Sequence, residues 1–127
     1  MFQVAIGGGE PLEHPDFLKI IDATLQRKIV PNFTTNGIFL TDEICNALRG
    51  KVGAVALSVN KLKELQQDKL QLLYKHNIRT NIHYVLSIQN ITEAIDIVSG
   101  KYTKELESRM TDAYKANYVA TSEEPSK

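Results

Sequence analysis

The residues with the clearest chemical potential form the segment Gly7-Gly8-Gly9-Glu10-Pro11, which directly follows a strand-like run at residues 2–6. Ligands of parallel α/β proteins bind at the carboxyl ends of the strands, where glycines let a ligand approach the backbone closely. Glu10 adds a carboxylate, which needs a cation or hydrogen-bond donors when it is partly buried. Two interpretations stay open: Glu10 binds a ligand ammonium group, or it caps a tight turn before the next helix.

The elements that would position this segment follow from the pattern of apolar residues. Four runs rich in β-branched or aromatic residues predict strands at 2–6, 30–34, 52–59 and 80–86. Helical patterns fill the intervals at 16–28 and 61–76. A further helix begins at Thr41, whose hydroxyl suits an N-cap, and another begins at Asn90 or Thr92 and ends at Val98.

This alternation of strands and helices predicts the fold class. The polar strand ends fall near positions 7, 36, 60 and 87, at nearly regular intervals, as expected for parallel strands joined by right-handed helical crossovers. A complete barrel of eight such units needs about 250 residues, whereas this chain has 127. We therefore expect an α/β fold, either a partial (β/α) barrel with about four parallel βα units or a small open sheet.

The end of the chain has a different pattern. Residues 101–118 predict a C-terminal amphipathic helix, because apolar residues recur every four positions. Residues 119–127 predict a disordered tail, because the stretch from 121 onward contains only Thr, Ser, Glu, Pro and Lys. The apolar stripe on the C-terminal helix consists of Tyr102, Leu106, Met110, Tyr114 and Tyr118. The chain thus divides into a βα part at 1–100, a helix at 101–118 and a tail.

Four strand-end motifs together resemble the radical S-adenosylmethionine (radical SAM) family. They lie at 8–11 (Gly-Gly-Glu-Pro), 34–37 (Thr-Thr-Asn-Gly), 56–60 and 81–87, in the family's order and with fitting spacing over residues 2–99. The resemblance implies a partial TIM-type barrel and S-adenosylmethionine as the small-molecule cofactor. The implied cofactor-binding residues are Gly8, Gly9 and Glu10 for the methionine amino group, Thr35 and Asn36 for the wall of the same pocket, Ser58 and Asn60 for the ribose or the methionine carboxylate, and Ser87 from its strand-end position.

The chain departs from the family in its cysteines. Family members hold a 4Fe-4S cluster through a CxxxCxxC loop upstream of the glycine motif, but only six residues precede Gly7, and Cys45 is the single cysteine. Without thiolate ligands the cluster has no anchor. Family members also often carry an acid near the position of Asn60. We therefore expect a fragment or truncated form of a radical SAM enzyme that retains part of the S-adenosylmethionine pocket and is inactive alone, with no catalytic residue assigned.

Other candidate chemical groups have simpler explanations. Cys45 lies in a helical pattern and is expected to pack in the core. His14 fits a turn, His76 a helix end, and His83 the packing of a strand interior, and no pair of histidines has metal-ligand spacing. The sequence therefore predicts no metal site.

Charge and hydropathy exclude some partners. The 15 basic and 15 acidic residues cancel, so no basic surplus indicates nucleic acid and no charge block indicates a membrane surface. No apolar run approaches the roughly 20 residues of a membrane span, and a cytoplasmic location is the default expectation. Two alternatives to the family interpretation remain: a small nucleotide- or metabolite-binding module, and a half-barrel interaction protein that completes its fold with a second copy or a missing barrel half.

Overall fold

Four parallel strands form one sheet in the computed structural model, which describes residues 2–120 and the side chains of residues 2–115. The strands follow one another across the sheet in chain order, so β1 and β4 are its edges. This arrangement confirms the predicted α/β fold with four parallel βα units. The strands are β1 (Gln3–Ile6), β2 (Val30–Thr35), β3 (Val55–Val59) and β4 (Thr80–Tyr84).

Helices fill the intervals between the strands, as the sequence pattern predicts. Short 3-10 turns at Pro11–Glu13, Leu62–Glu64 and Ile88–Asn90 follow β1, β3 and β4. The helices are α1 (Phe17–Gln26), α2 (Asp42–Leu48), α3 (Gln67–Lys75), α4 (Ile91–Val98) and α5 (Thr103–Ala120). In this part of the chain no helix is long and apolar enough to cross a bilayer.

Local sequence signals explain where several helices begin and end. The Thr41 hydroxyl accepts a hydrogen bond from the Ile44 amide at 3.2 Å and caps α2 as predicted. Asn77 follows α3 with a positive φ of 58°, a conformation that asparagine tolerates better than most residues. Asn90 occupies the N-cap position of α4, but its side chain does not cap that helix.

Two predicted boundaries are wrong by several residues. The helix predicted at 61–76 is divided into the turn Leu62–Glu64 and α3, because Leu65 between them is extended. This break allows both Leu62 and Leu65 to be buried. The strand predicted at 52–59 begins only at Val55.

The core lies between the sheet and the helices on one of its faces. Along β2 and β3 the residues Phe33, Val55, Leu57 and Val59 are buried in this core, and β-strand side chains alternate between faces. Burying one such side chain contributes roughly 1.5–3 kcal/mol. The opposite face, called the open face below, carries Asn32, Thr34, Ser58, Asn81 and His83, all half-buried or exposed.

The open face corrects the expectation for His83. A residue inside a strand is normally packed, but His83 is exposed, because it lies on the open face of β4, which is an edge strand. Its neighbour in the sheet is Ser58 of β3.

The C-terminal helix α5 packs on α3. Ala113 is fully buried, and Leu106 and Met110 contact the core. The Arg109 guanidinium donates to the Leu65 carbonyl (2.6 Å) and to Gln67 Oε1 (3.1 Å). Leu106 and Met110 of the predicted stripe therefore face the core, and Tyr114, although 58% exposed, makes an edge-to-face contact with Tyr74 of α3. The tail is predicted at 119–127, but α5 continues through Ala120; residues 121–127 and the Tyr118 side chain lie outside the described residues.

The segment after β4 exposes apolar side chains. No residue of α4 is buried, and Ile95 and Val98 are 60% and 84% exposed. Ile88, just before α4, is 93% exposed. We call Leu86, Ile88, Ile91, Ile95 and Val98 the exposed apolar segment.

Candidate functional site

The predicted cofactor-binding residues all lie at the carboxyl ends of the four strands. The strands are parallel and adjacent, so these ends lie side by side. Gly8, Gly9 and Glu10 follow β1, and Ser87 follows β4. The other four residues, Thr35, Asn36, Ser58 and Asn60, lie in or directly after β2 and β3.

The glycine loop after β1 has a conformation that favours glycine. Gly8 and Gly9 have φ values of +79° and +76°, in a region that residues with a Cβ rarely adopt. A Cβ placed on either glycine would meet no atom within 4 Å. The requirement for glycine is therefore a matter of backbone conformation, and the space beside the loop is open.

Glu10 joins the loop after β1 to the end of β2. Its Oε2 accepts from the Thr35 hydroxyl at 2.6 Å and from the Leu12 amide at 3.2 Å, and its Oε1 accepts from the Asn36 amide at 2.8 Å. We call these four residues the Glu10 junction. The bond to Leu12 caps the turn Pro11–Glu13, which is the turn-capping role left open by the sequence.

The capping role does not use all the hydrogen-bonding capacity of Glu10. An ionised carboxylate offers about four acceptor positions, and the three donors of the junction occupy both positions on Oε2 and one on Oε1. One acceptor position on Oε1 is therefore left for a further donor.

Thr35 lies behind Glu10. It is only 1% exposed, and its hydroxyl donates to Glu10 while accepting from the Gly37 amide at 3.1 Å. Thr34, the residue before it, lies on the open face because side chains alternate along β2. Asn36 is exposed, and its Oδ1 accepts from the Ile38 amide at 2.9 Å.

A second junction joins the loops that contain Asn60 and Ser87. The Asn90 amide group donates to the Asn60 carbonyl (2.7 Å) and the Val85 carbonyl (2.8 Å), and it accepts from the Ser87 amide (2.8 Å). We call these four residues the Asn90 junction. Sequence reasoning missed this role, because a helix-capping asparagine and a loop-joining one look the same in a sequence.

Glu93, one helical turn after Asn90, adds contacts to the same region. Its Oε1 accepts from the Tyr84 hydroxyl at 2.7 Å and from the Leu62 amide at 3.0 Å. The Tyr84 bond, followed by the Leu62 bond, lowers the pKa of Glu93. Desolvation and the same carboxylate raise the pKa of Tyr84 to about 12.

The remaining candidate groups take structural roles. Cys45 is fully buried, as predicted, and burial raises the pKa of its thiol to about 11. The His14 ring accepts from the Asp16 amide in a turn, and His76 ends α3 with its Nε2 2.9 Å from Asp42. Among the described residues no group of three or more potential ligands is placed to hold a metal ion. One cysteine cannot supply the three thiolates of the family's cluster loop.

A shallow cleft lies apart from the strand-end residues. It has a volume of about 250 Å³ and is lined by Ile44 and by side chains of the segment 12–18. None of the predicted cofactor-binding residues lines it.

Comparison with known proteins gives a partial similarity. A stretch of 48 residues, 38% of this chain, is 40% identical to mycofactocin maturase MftC of Mycobacterium tuberculosis, and it covers 12% of that protein's length. The corresponding protein of Mycobacterium ulcerans is 38% identical over 48 residues, or 13% of its length. No family model matches the chain, and no solved structure is significantly similar to it. The similarity supports the resemblance to the radical SAM superfamily without extending over the whole chain.

Proposed function

We propose that this chain is a segment of a radical SAM barrel that binds the ammonium group of S-adenosylmethionine at Glu10. The observation that carries the proposal is the geometry of Glu10, whose carboxylate is held by three donors next to two open glycines and has one acceptor position left. An ammonium group supplies both the donor and the positive charge that such a carboxylate favours. The partial similarity to a radical SAM maturase supports the same interpretation.

The other strand-end residues offer hydrogen bonds to the rest of the cofactor. Gly8 and Gly9 allow close approach of a ligand to the backbone. Ser58, Asn60 and Ser87 carry hydroxyl and amide groups suited to a ribose or a carboxylate. Thr35 supports Glu10 from behind, and Asn36 contributes its backbone amide to the same carboxylate.

We further propose that this chain alone does not cleave the cofactor. In the family, a 4Fe-4S cluster supplies the electron for that cleavage and is bound by cysteine thiolates. The only cysteine of this chain is buried, and its raised pKa disfavours the thiolate. The residues present therefore fit the cofactor but not the cluster.

Calorimetric titration of S-adenosylmethionine into the purified chain tests the proposal. We expect the wild type to bind, and Glu10→Gln to bind about tenfold more weakly or worse, because a charge-assisted hydrogen bond contributes about 1.5–3 kcal/mol. Glu13→Gln is the matched control, since Glu13 is an exposed glutamate of the same loop. 5′-Methylthioadenosine, which lacks the ammonium and carboxylate of the methionine part, should bind the wild type and Glu10→Gln equally.

Two results would contradict this assignment. Equal affinity of the wild type and Glu10→Gln for S-adenosylmethionine would remove Glu10 from the site. A folded wild type that binds no S-adenosylmethionine would show that the resemblance reflects ancestry rather than present function.

A second candidate, a half-barrel that completes its fold with another barrel half or a second copy, is favoured by the exposed apolar segment. Apolar residues on one helix face normally pack against another element, and β1 and β4 are open sheet edges. Sedimentation over a range of concentrations tests self-association, and Ile95→Lys should weaken it. A chain that stays monomeric at the highest concentration would argue against a second copy.

A further inference from the structure

Asn90 is a buried polar side chain near the carboxyl ends of the strands that makes three hydrogen bonds. It is only 6% exposed, and its amide group bonds to three backbone groups in two loops, at Asn60, Val85 and Ser87. Two of these three residues, Asn60 and Ser87, are candidate contacts of the cofactor.

The chemistry of the three partners explains why the residue is asparagine. Two partners are carbonyl oxygens that need donors, and the third is an amide that needs an acceptor. Only a carboxamide offers two donors and an acceptor on one planar group, and the shorter of the two carboxamide side chains fits here. The three residues are themselves exposed and their bonds to Asn90 are part-buried, so removing the carboxamide costs the share of this hydrogen bonding that water does not replace.

Further hydrogen bonds near Asn90 also connect the loop that follows β3 with the end of β4. Glu93 accepts from the Leu62 amide, two residues after Asn60, and from Tyr84 at the end of β4. The Asn60 amide donates to Glu64 Oε1 at 2.7 Å. The backbone of Asn60 is thus bonded through its N–H to Glu64 and through its carbonyl to Asn90.

We propose that Asn90 is a positioning residue, which sets the places of Asn60 and Ser87 and thereby forms the β3–β4 half of the binding site. This role rests on the proposed function. Asn90 does not touch the ligand, because it is buried beneath both loops. It acts through the backbone at Asn60 and Ser87.

A double-mutant cycle between Asn90 and Asn60 tests this role. The affinity for S-adenosylmethionine is measured by calorimetry for Asn90→Ala, Asn60→Ala and the double variant. We expect each single variant to bind roughly fivefold to tenfold more weakly, and the double variant to bind no more weakly than the worse single variant. Asn46→Ala, which changes an exposed asparagine of α2, is the matched control and should bind like the wild type.

Amide hydrogen exchange of the free protein gives a second readout. In Asn90→Ser, a smaller polar replacement that serves if Asn90→Ala does not fold, the Ser87 amide should exchange faster than in the wild type. The amides of the Glu10 junction should be unchanged. Unchanged exchange at Ser87 would overturn the inference.

The binding results separate the two proposals. If the wild type binds and Asn90→Ala binds equally well, or if the losses in the double variant add, the positioning role is wrong and the binding function stands. If the folded wild type binds no S-adenosylmethionine, the proposed function is wrong and the positioning role is lost with it.

Discussion

The Glu10 junction and the Asn90 junction both join neighbouring strand-end loops, but their partners have opposite hydrogen-bonding character. All three partners of Glu10 are donors, which suits a carboxylate that can only accept. The partners of Asn90 are two acceptors and one donor, which only a carboxamide can satisfy.

The two junctions also differ in the charge and the hydrogen-bonding capacity that remain free for a ligand. Glu10 is half-buried beside an open glycine loop, has an acceptor position left, and forms no ion pair with any of the described residues. Asn90 is buried and neutral, and both of its donors are used. The comparison supports the proposal that Glu10 contacts a ligand directly, whereas Asn90 acts only by holding the loops that follow β3 and β4.

The largest expected effect comes from exchanging donors and acceptors at each junction. Asn90→Asp places a buried carboxylate against two carbonyl oxygens, and we expect the free energy of unfolding to fall by about 3–4 kcal/mol at pH 7. Glu10→Gln, in a more exposed position, should cost about 1 kcal/mol. Urea denaturation of both variants measures these costs.

The pH dependence of Asn90→Asp adds a check on the mechanism. Burial against carbonyls raises the pKa of the new carboxyl group, and the protonated acid can donate to one of them, so part of the lost stability should return as the pH falls below 7. Equal costs of the two exchanges would mean that the junctions do not differ as described.

A smaller effect is expected from Tyr84→Phe, which removes one donor from Glu93. The pKa of Glu93 lies below its ordinary value of 4.5, mainly because Tyr84 donates to it. A carboxyl group with a lowered pKa stabilises the fold above its ordinary pKa and loses that contribution as the pH falls through the lowered value. Tyr84→Phe should therefore lower the free energy of unfolding at pH 7 and lower it by less at pH 3, where Glu93 is largely protonated in both proteins.

Nuclear magnetic resonance titration of the Glu93 carboxyl group checks the cause of this effect. Its pKa should rise toward 4.5 in Tyr84→Phe, while in Glu10→Gln it should stay as in the wild type. A Glu93 pKa that does not move would assign the lowered value to the Leu62 amide instead.

Much of the fold could be predicted from the sequence because its signals are local. Runs of β-branched and aromatic residues mark the strands, and period-3.6 patterns mark the helices. The Thr41 cap and the Asn77 stop lie where short-range hydrogen bonding and backbone conformation require them. The break at Leu65 could not be predicted, since it depends on the Arg109 contact from α5, far along the chain. The exposure of His83 likewise depends on which elements cover each face of the sheet.

The sequence by itself determined the order of the four βα units, the glycine loop, and the strand-end positions of the candidate site, because these features follow from side-chain pattern and backbone preference along one segment. Only the tertiary structure decided which strand-end side chains face open space. The tertiary structure places Thr35 behind Glu10, and it brings Asn90 to a position where its side chain bonds to two loops. The physical reason is that a polar group takes whichever partners the folded chain brings within about 3 Å, and those partners come from segments that are distant in sequence.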